Sequence, residues 1–520
     1  MVTMSFSFED FSAAGQILIL CFLVCVFLTG KSIWQHTFSK LPPGPWGMPV
    51  IGACFRMGKN PHLDLTQMAQ KYGDVFSLML GNRLVVVLNG VNAIQEAIVK
   101  QSTAFAGRPQ LHTFKLANPQ GNSLTLTDYS PQWRLTRKIS VSAIQNFAKN
   151  ADALEEKLLQ ESQRLIQCFK QQKDRPVDAL ITLKFATANI ILSALFGVNC
   201  SYDDEVLRGI LSITNSYGQA VNGSSHIDFL PLLKYLPNKS LSKLVLAIKS
   251  LIGVTTKMFE KNKETYTEGQ VRNIADSFIS VIEKETMKEK ENRPEGENTL
   301  NMAPLLSDEQ IVQAMGDLFG AGFETSSETI YWGLAYLVKY PDIQRQLNEE
   351  LDYVIGRDRL PTLGDIASLP LLQATVYELL RVTCLAPLSV PRSTTTETKI
   401  RDFTIPKDTM VFANLWSVHR DPAIWKDPEV FNPRRFLDGA GDVVDPKSLG
   451  GFLPFSGGRR KCPGEPLALK TVSVFLGVLL HSFRFSQDGL SAEYQGINLQ
   501  GNFGLTLSSD KFHVRIEERQ

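Results

Sequence analysis

Phe455-Ser456-Gly457-Gly458-Arg459-Arg460-Lys461-Cys462-Pro463-Gly464 is the stretch from which the fold can be read. Glycines and a proline around one cysteine make a tight turn, and the apolar run Leu467 to Leu480 behind it makes a helix. Pro463 suits the first helical position, which places Cys462 at the N-cap. Backbone N–H groups and the helix dipole at such a position lower a thiol pKa and favour the thiolate. Gly457, Gly458 and Gly464 leave room for a flat cofactor against the backbone, and Arg460 is placed to pair with a carboxylate on it. Taken alone, a single cysteine in a loop reads as a buried, inert thiol.

Upstream, Glu378-Leu379-Leu380-Arg381 sets an acid and a base at i and i+3, on one helix face. Alone it reads as a solvated ion pair. Ala321-Gly322-Phe323-Glu324-Thr325-Ser326 sits in a long apolar helix whose start is signed by the capping-box pattern Ser307-x-x-Gln310. Gly316, Gly320 and Gly322 cost that helix roughly 1 kcal/mol each against alanine, so something approaches it closely. Trp133 and Arg137 share a face of a helix that Ser130 caps and Pro131 opens.

With these motifs in this order, the chain resembles the cytochrome P450 family over essentially its whole length. Phe455, Gly458, Arg460, Cys462 and Gly464 match the family's F-x-x-G-x-R-x-C-x-G haem loop. The resemblance implies that Cys462 is the thiolate ligand to a haem b iron. It implies that Glu378 and Arg381 form a buried scaffold with Arg435 of Pro433-Arg434-Arg435-Phe436. It implies that Trp133, Arg137 and Arg392 donate to the haem propionates, although many relatives carry histidine where Arg392 stands. Over the haem, the helix would widen locally, and Glu324 and Thr325 would relay protons to iron-bound dioxygen. Asp317 to Phe323 resembles the aryl-hydrocarbon hydroxylase group. Ala386-Pro387 and Asn414 to His419 resemble the steroid 17-hydroxylase group.

The activity so implied is insertion of one oxygen atom from O2 into a lipophilic substrate, a steroid or polycyclic aromatic. Electrons would come from NADPH through a separate reductase, with cytochrome b5 as a further partner. No G-x-G-x-x-G follows a strand, which agrees with an external donor. Lys138, Arg459 and Lys461 would form the reductase-facing basic patch. Phe319, Phe323 and Phe503 suit a flat substrate, and ordinary core packing explains them nearly as well. Two rival readings are a reductase-independent haem-thiolate isomerase and a non-catalytic haem- or lipid-binding protein. The Glu324-Thr325 pair weighs against both.

The 520 residues carry a net charge of +1, which points to no nucleic-acid partner. Seven scattered cysteines, without a C-x-x-C pair, exclude a disulfide scaffold, a zinc module and covalent haem attachment. Phe11 to Thr29 is about 19 residues of almost unbroken apolar sequence, near the length of a bilayer span. Glu9 and Asp10 precede it, and Lys31 and Lys40 follow. A cleaved signal peptide would want a basic start, so a retained anchor is expected, in the endoplasmic reticulum membrane with the remainder cytosolic. The expected organisation is an anchor over 1–30, a proline-rich hinge over 31–50 and a haem-thiolate domain over 51–520. The fold class is mainly α with a small β component, preceded by a transmembrane helix. Val75–Leu80 and Leu84–Leu88 read as a hairpin, and Glu283 to Asn298 as an exposed loop.

Overall fold

The computed structural model describes residues 15–16, 19–20, 22–23, 40–48, 50–172, 175–224, 226–291, 306–487 and 497–519. The helices of 12 residues or more are α1 Pro61–Tyr72, α2 Pro131–Lys149, α3 Ala151–Lys170, α4 Leu180–Phe196, α5 Glu205–Ser224 and α6 Lys239–Glu264. After these come α7 Ile274–Glu291, α8 Asp308–Lys339, α9 Pro341–Ile355, α10 Pro370–Thr383 and α11 Glu465–Ser482. Strands β1 Val75–Leu80, β2 Arg83–Leu88, β3 Arg392–Ser393 and β6 Met410–Ala413 form one sheet in the order β1-β2-β6-β3. The strands β4 Thr398–Ile400 and β5 Phe403–Ile405 make a separate pair, as do β7 Phe483–Gln487 and β8 Val514–Glu518.

The axis of the molecule is α8. Its 32 residues reach about 48 Å at the α-helical rise. Ser307 accepts from the Gln310 N–H and the Gln310 side chain returns the bond, so the expected capping box starts it. The helix stays α-helical through 321–326, and the widening expected there is not present. Against it lies α4, which is buried almost all round from Thr182 to Phe196. Gly322 lets the two approach, because a Cβ there would lie 2.9 Å from Ile191 Cδ1. Close approach therefore explains Gly322 by helix packing, whereas a Cβ at Gly320 would meet open space.

The β1–β2 hairpin pairs Val75 with Leu88 and turns at Gly81 and Asn82. Residues of the proline-rich stretch lie along β1: Pro43 O accepts from Ser77 N at 2.7 Å and Pro42 O from Ser77 Oγ at 2.6 Å. A Cβ on Gly44 would collide with Ser77 O. The loop expected over Glu283 to Asn298 is instead helical as far as Glu291, as the end of α7, and the rest lies outside the described residues. The expected anchor over 1–30 also falls outside them, apart from the few positions given above. Among the described residues no helix is long and apolar enough to cross a membrane.

Candidate active site

The cysteine loop closes on itself, with Cys462 N donating to Phe455 O at 3.0 Å. Phe455, half-buried, packs against the main helical core. Gly458 adopts φ +67°, and a Cβ there would stand 1.9 Å from Ile98 O. A Cβ on Gly457 would meet Val99 Cγ2 at 3.0 Å. These two glycines therefore seat the loop on the π-helical turn Gln95–Lys100. The N-cap of α11 is Gly464, not Cys462, and the proline in its first turn is Pro466.

From two residues before that cap, the Cys462 thiol still meets the N–H groups of Gly464 and Glu465. It is exposed, yet protein encloses it so closely that burial dominates its ionisation. Exposed surface within an enclosure is the wall of an interior cavity. Burial raises the thiol pKa, the Glu465 charge adds to that, and the two N–H groups and Arg137 only partly oppose it. The expected depression by the helix terminus is thus overridden by desolvation. A metal cation on the sulfur is what would ionise it, since a coordinating thiol is deprotonated outright.

Around this cavity lies a cluster of guanidiniums. Arg392 is 1 % exposed, and its Nη2 donates to Ser456 Oγ at 3.1 Å and Gly457 O at 3.0 Å. Its Nε and Nη1 are buried with no partner. Burial and the nearby Arg137 lower its pKa to about 9. Arg460 donates to Ala106 O and Thr127 O and stacks 3.7 Å over the Trp133 ring; burial, Arg392 and Arg137 bring it also to about 9. Trp133 Nε1 donates to Leu124 O at 2.8 Å, so its N–H is engaged by backbone rather than held open for a propionate. Arg137 donates to Lys461 O. Arg108, which sequence reasoning missed, is buried and donates to Thr125, Val390 and Pro391 carbonyls. Burial and its neighbours Arg460, Arg392 and Arg137 hold it well below the usual arginine range, against Asp128.

Such like charges repel strongly in a low-dielectric interior. A ligand with two carboxylates would neutralise the excess and fill the unpartnered Arg392 donors. That is the anionic edge of a haem, and the residues present fit it.

One face of α8 is open at Gly320 and Ala321. Ala321 is exposed in mid-helix, and Gly320 beside it meets nothing. Thr325, one turn on, donates back to Ala321 O at 2.7 Å. Glu324 turns aside to α4, where Lys184 Nζ meets its Oε1 at 2.9 Å. Its Oε2 is buried without a partner. Glu328, a further turn along, is 3 % exposed. Burial first, then the Glu324 charge, push its carboxyl up to about 7 against the pull of Lys184. Phe319 and Phe323 stack at 5.0 Å within the core, and Phe503 stacks on His62. Packing explains these rings.

One turn before Ala321 on α8, Asp317 Oδ2 accepts from Ser123 Oγ at 2.6 Å and Thr125 N at 2.9 Å. On the cysteine side, Arg381 forks onto both Glu378 oxygens at 2.7 and 2.8 Å and donates to His419 O and Pro428 O. Arg435 Nε joins Glu378 Oε1 at 3.1 Å. Lys138 and Arg459 are exposed, whereas Lys461 is half-buried and paired with Glu465. A lone lysine in the otherwise apolar run of α4 was a legible signal for Lys184; nothing local marks Arg108.

An enclosed cysteine beside buried arginines that outnumber their counter-charge, Asp128, defines a haem-thiolate oxidoreductase. The cytochrome P450 family model matches residues 42–512. The chain is 35% identical to cytochrome P450 1A1 of Rattus norvegicus, over 99% of this chain and 97% of that protein. It is 35% identical to cytochrome P450 1A3 of Oncorhynchus mykiss, over 98% and 97%, and 34% identical to cytochrome P450 1A1 of Canis lupus familiaris, over 98% and 95%. The chain belongs to the cytochrome P450 family, and is a haem-thiolate monooxygenase.

Proposed function

We propose that this enzyme oxygenates a lipophilic substrate, a steroid or polycyclic aromatic, at the endoplasmic reticulum membrane, with electrons from NADPH through a separate reductase and with cytochrome b5 as a further partner. The observation that carries the reading is that Cys462 lies enclosed beside buried arginines that outnumber their counter-charge, with two Arg392 nitrogens unpartnered. Bound there, a thiolate-ligated haem supplies electron-rich iron that favours O–O cleavage.

The residues of this chain do the rest. Cys462 Sγ would hold the iron. The unpartnered Nε and Nη1 of Arg392 would take up a propionate, helped by Arg137, Arg108 and Arg460, with Trp133 as the platform beneath Arg460. Glu378, Arg381 and Arg435 fix the backbone of 419–432 below the cysteine loop. Gly320 and Ala321 offer the substrate a wall without protruding side chains, which suits a flat molecule. Glu324 hands a proton to Thr325 Oγ1 as the hydroxyl proton that Thr325 holds on Ala321 O is released toward the cavity face. Lys138 and Arg459 supply the exposed charge of the reductase face.

Difference spectroscopy of the holoenzyme against steroids, polycyclic aromatics and fatty acids tests the substrate class. Tight spectral binding of fatty acids alone would refute it. Cys462→Ser is expected to lose the thiolate-type carbon monoxide spectrum, and its retention would overturn the assignment of the ligand.

A further inference from the structure

A buried carboxyl, Glu328, and a half-buried one, Glu324, lie near one ammonium beside α8. Glu324 and Glu328 are four residues apart, hence on one helix face. Lys184 of α4 is 6 % exposed and bonds Glu324 Oε1. Glu328 feels the same ammonium and the Glu324 charge, and its Oε2 lies 3.4 Å from Ser509 N in the C-terminal loop. Asp178, half-buried just before α4, faces Glu328 and hydrogen-bonds Tyr331 OH. Burial, with the Glu324 charge beside it, favours the protonated form of Glu328, so the Glu328 carboxyl is the one that holds a proton.

We infer that Glu328 is a proton reservoir that acts through Glu324. The proposal rests on the reading of Glu324 and Thr325 as a relay. In the step, the Glu328 O–H bond breaks and an O–H bond forms on Glu324, with no change in electron count. Glu324 then serves Thr325 at the cavity. Water at the exposed edge of Asp178 returns the proton to Glu328. Lys184 holds the pair together and keeps the migrating charge from standing alone in an apolar setting. Neither substrate nor haem touches Glu328 in this scheme, so its effect is on proton supply and not on binding.

The test uses the full-length holoenzyme with reductase and Glu328→Gln, with Glu328→Asp as the conservative variant. Infrared titration reads the C=O stretch of protonated carboxyls, and peroxide released per NADPH is followed with 7-ethoxycoumarin as probe and without it. The wild type should show a carboxyl band that fades over roughly pH 6 to 8, given a group displaced to near neutrality. Glu328→Gln should lose that band, keep the carbon monoxide spectrum, and release severalfold more peroxide with a flattened pH dependence. Glu328→Asp should restore the pH dependence. A band and a pH profile unchanged in Glu328→Gln overturn the reservoir. Should the Gln variant not fold, the band must move in Glu328→Asp, and an unmoved band overturns it equally. If Glu324→Gln raises peroxide while Glu328→Gln does not, the reservoir alone fails. If Glu324→Gln and Thr325→Ala both leave peroxide unchanged, the relay itself fails.

Discussion

Arg392 reaches Gly457 O, at 3.0 Å, with a single nitrogen, and leaves two buried nitrogens of the same guanidinium without a partner. A charged group so placed is waiting for an anion. Arg392→Met should therefore weaken haem retention rather than folding. One lost charge-assisted bond is worth about 1.5–3 kcal/mol, or roughly 10- to 100-fold in haem affinity. The rate of haem transfer to an acceptor apoprotein measures this, and an unchanged rate would remove Arg392 from the haem site.

Glu378 is expected to be the least replaceable carboxylate of the scaffold. It accepts from Arg381, Arg435 and the Asn432 N–H, and both it and Arg381 are fully buried. Glu378→Ala strands the Arg381 charge, a loss of about 3–5 kcal/mol. The thermal midpoint and the yield of intact haem protein should both fall sharply. A variant with wild-type yield and midpoint would contradict the scaffolding role.

Asp317 clamps the segment around Ser123–Thr125 to α8 with hydrogen bonds and no cation. Burial raises its carboxyl pKa while those donors oppose the rise. Asp317→Ala should leave the Ser123 and Thr125 donors unmet, each at about 1–3 kcal/mol. Asparagine should rescue the clamp, because its oxygen can serve Ser123 and Thr125 while its amide N–H donates to Gln313 once the Gln313 amide flips to present its oxygen. Hydrogen exchange at the Thr125 amide distinguishes them: fast in the alanine variant, near wild type in the asparagine variant.

Glu328 makes stability depend on pH. Its pKa is raised in the folded state, from 4.5 to about 7. A raised carboxyl stabilises the fold while it remains protonated, fully so below its unfolded pKa, and that contribution is lost as pH rises through 7. The amount is on the order of 3 kcal/mol, at 1.36 kcal/mol per unit of displacement. Glu328→Gln, which never ionises, should gain on the wild type as pH rises from 5 to about 8. Thermal midpoints at both pH values give the difference, and a gap that does not widen would count against the burial.

The sequence alone determined the motifs and their order, and hence the family. Ser307 and Gln310 announced the start of α8, and the runs Val75–Leu80 and Leu84–Leu88 on either side of Gly81-Asn82-Arg83 announced the hairpin, because caps and turns are local chemistry. Glu378 and Arg381 were readable as neighbours at i and i+3, but their burial beside Arg435 depends on the chain returning 57 residues after Glu378. The tertiary structure also decided which reading of each special residue holds. Gly457 and Gly458 seat a loop on Ile98 and Val99, a partner some 360 positions away that no local pattern names. Cys462 sits before the helix cap, and desolvation outweighs the dipole there. Arg108 joined the arginine cluster unannounced, since mutual proximity of like charges is a property of the assembled cavity. The same holds for Glu328, whose displaced proton comes from depth of burial and from Lys184 on another helix. Local sequence encodes what lies within a turn or two of backbone; dielectric and charge balance are set by whatever the fold brings near.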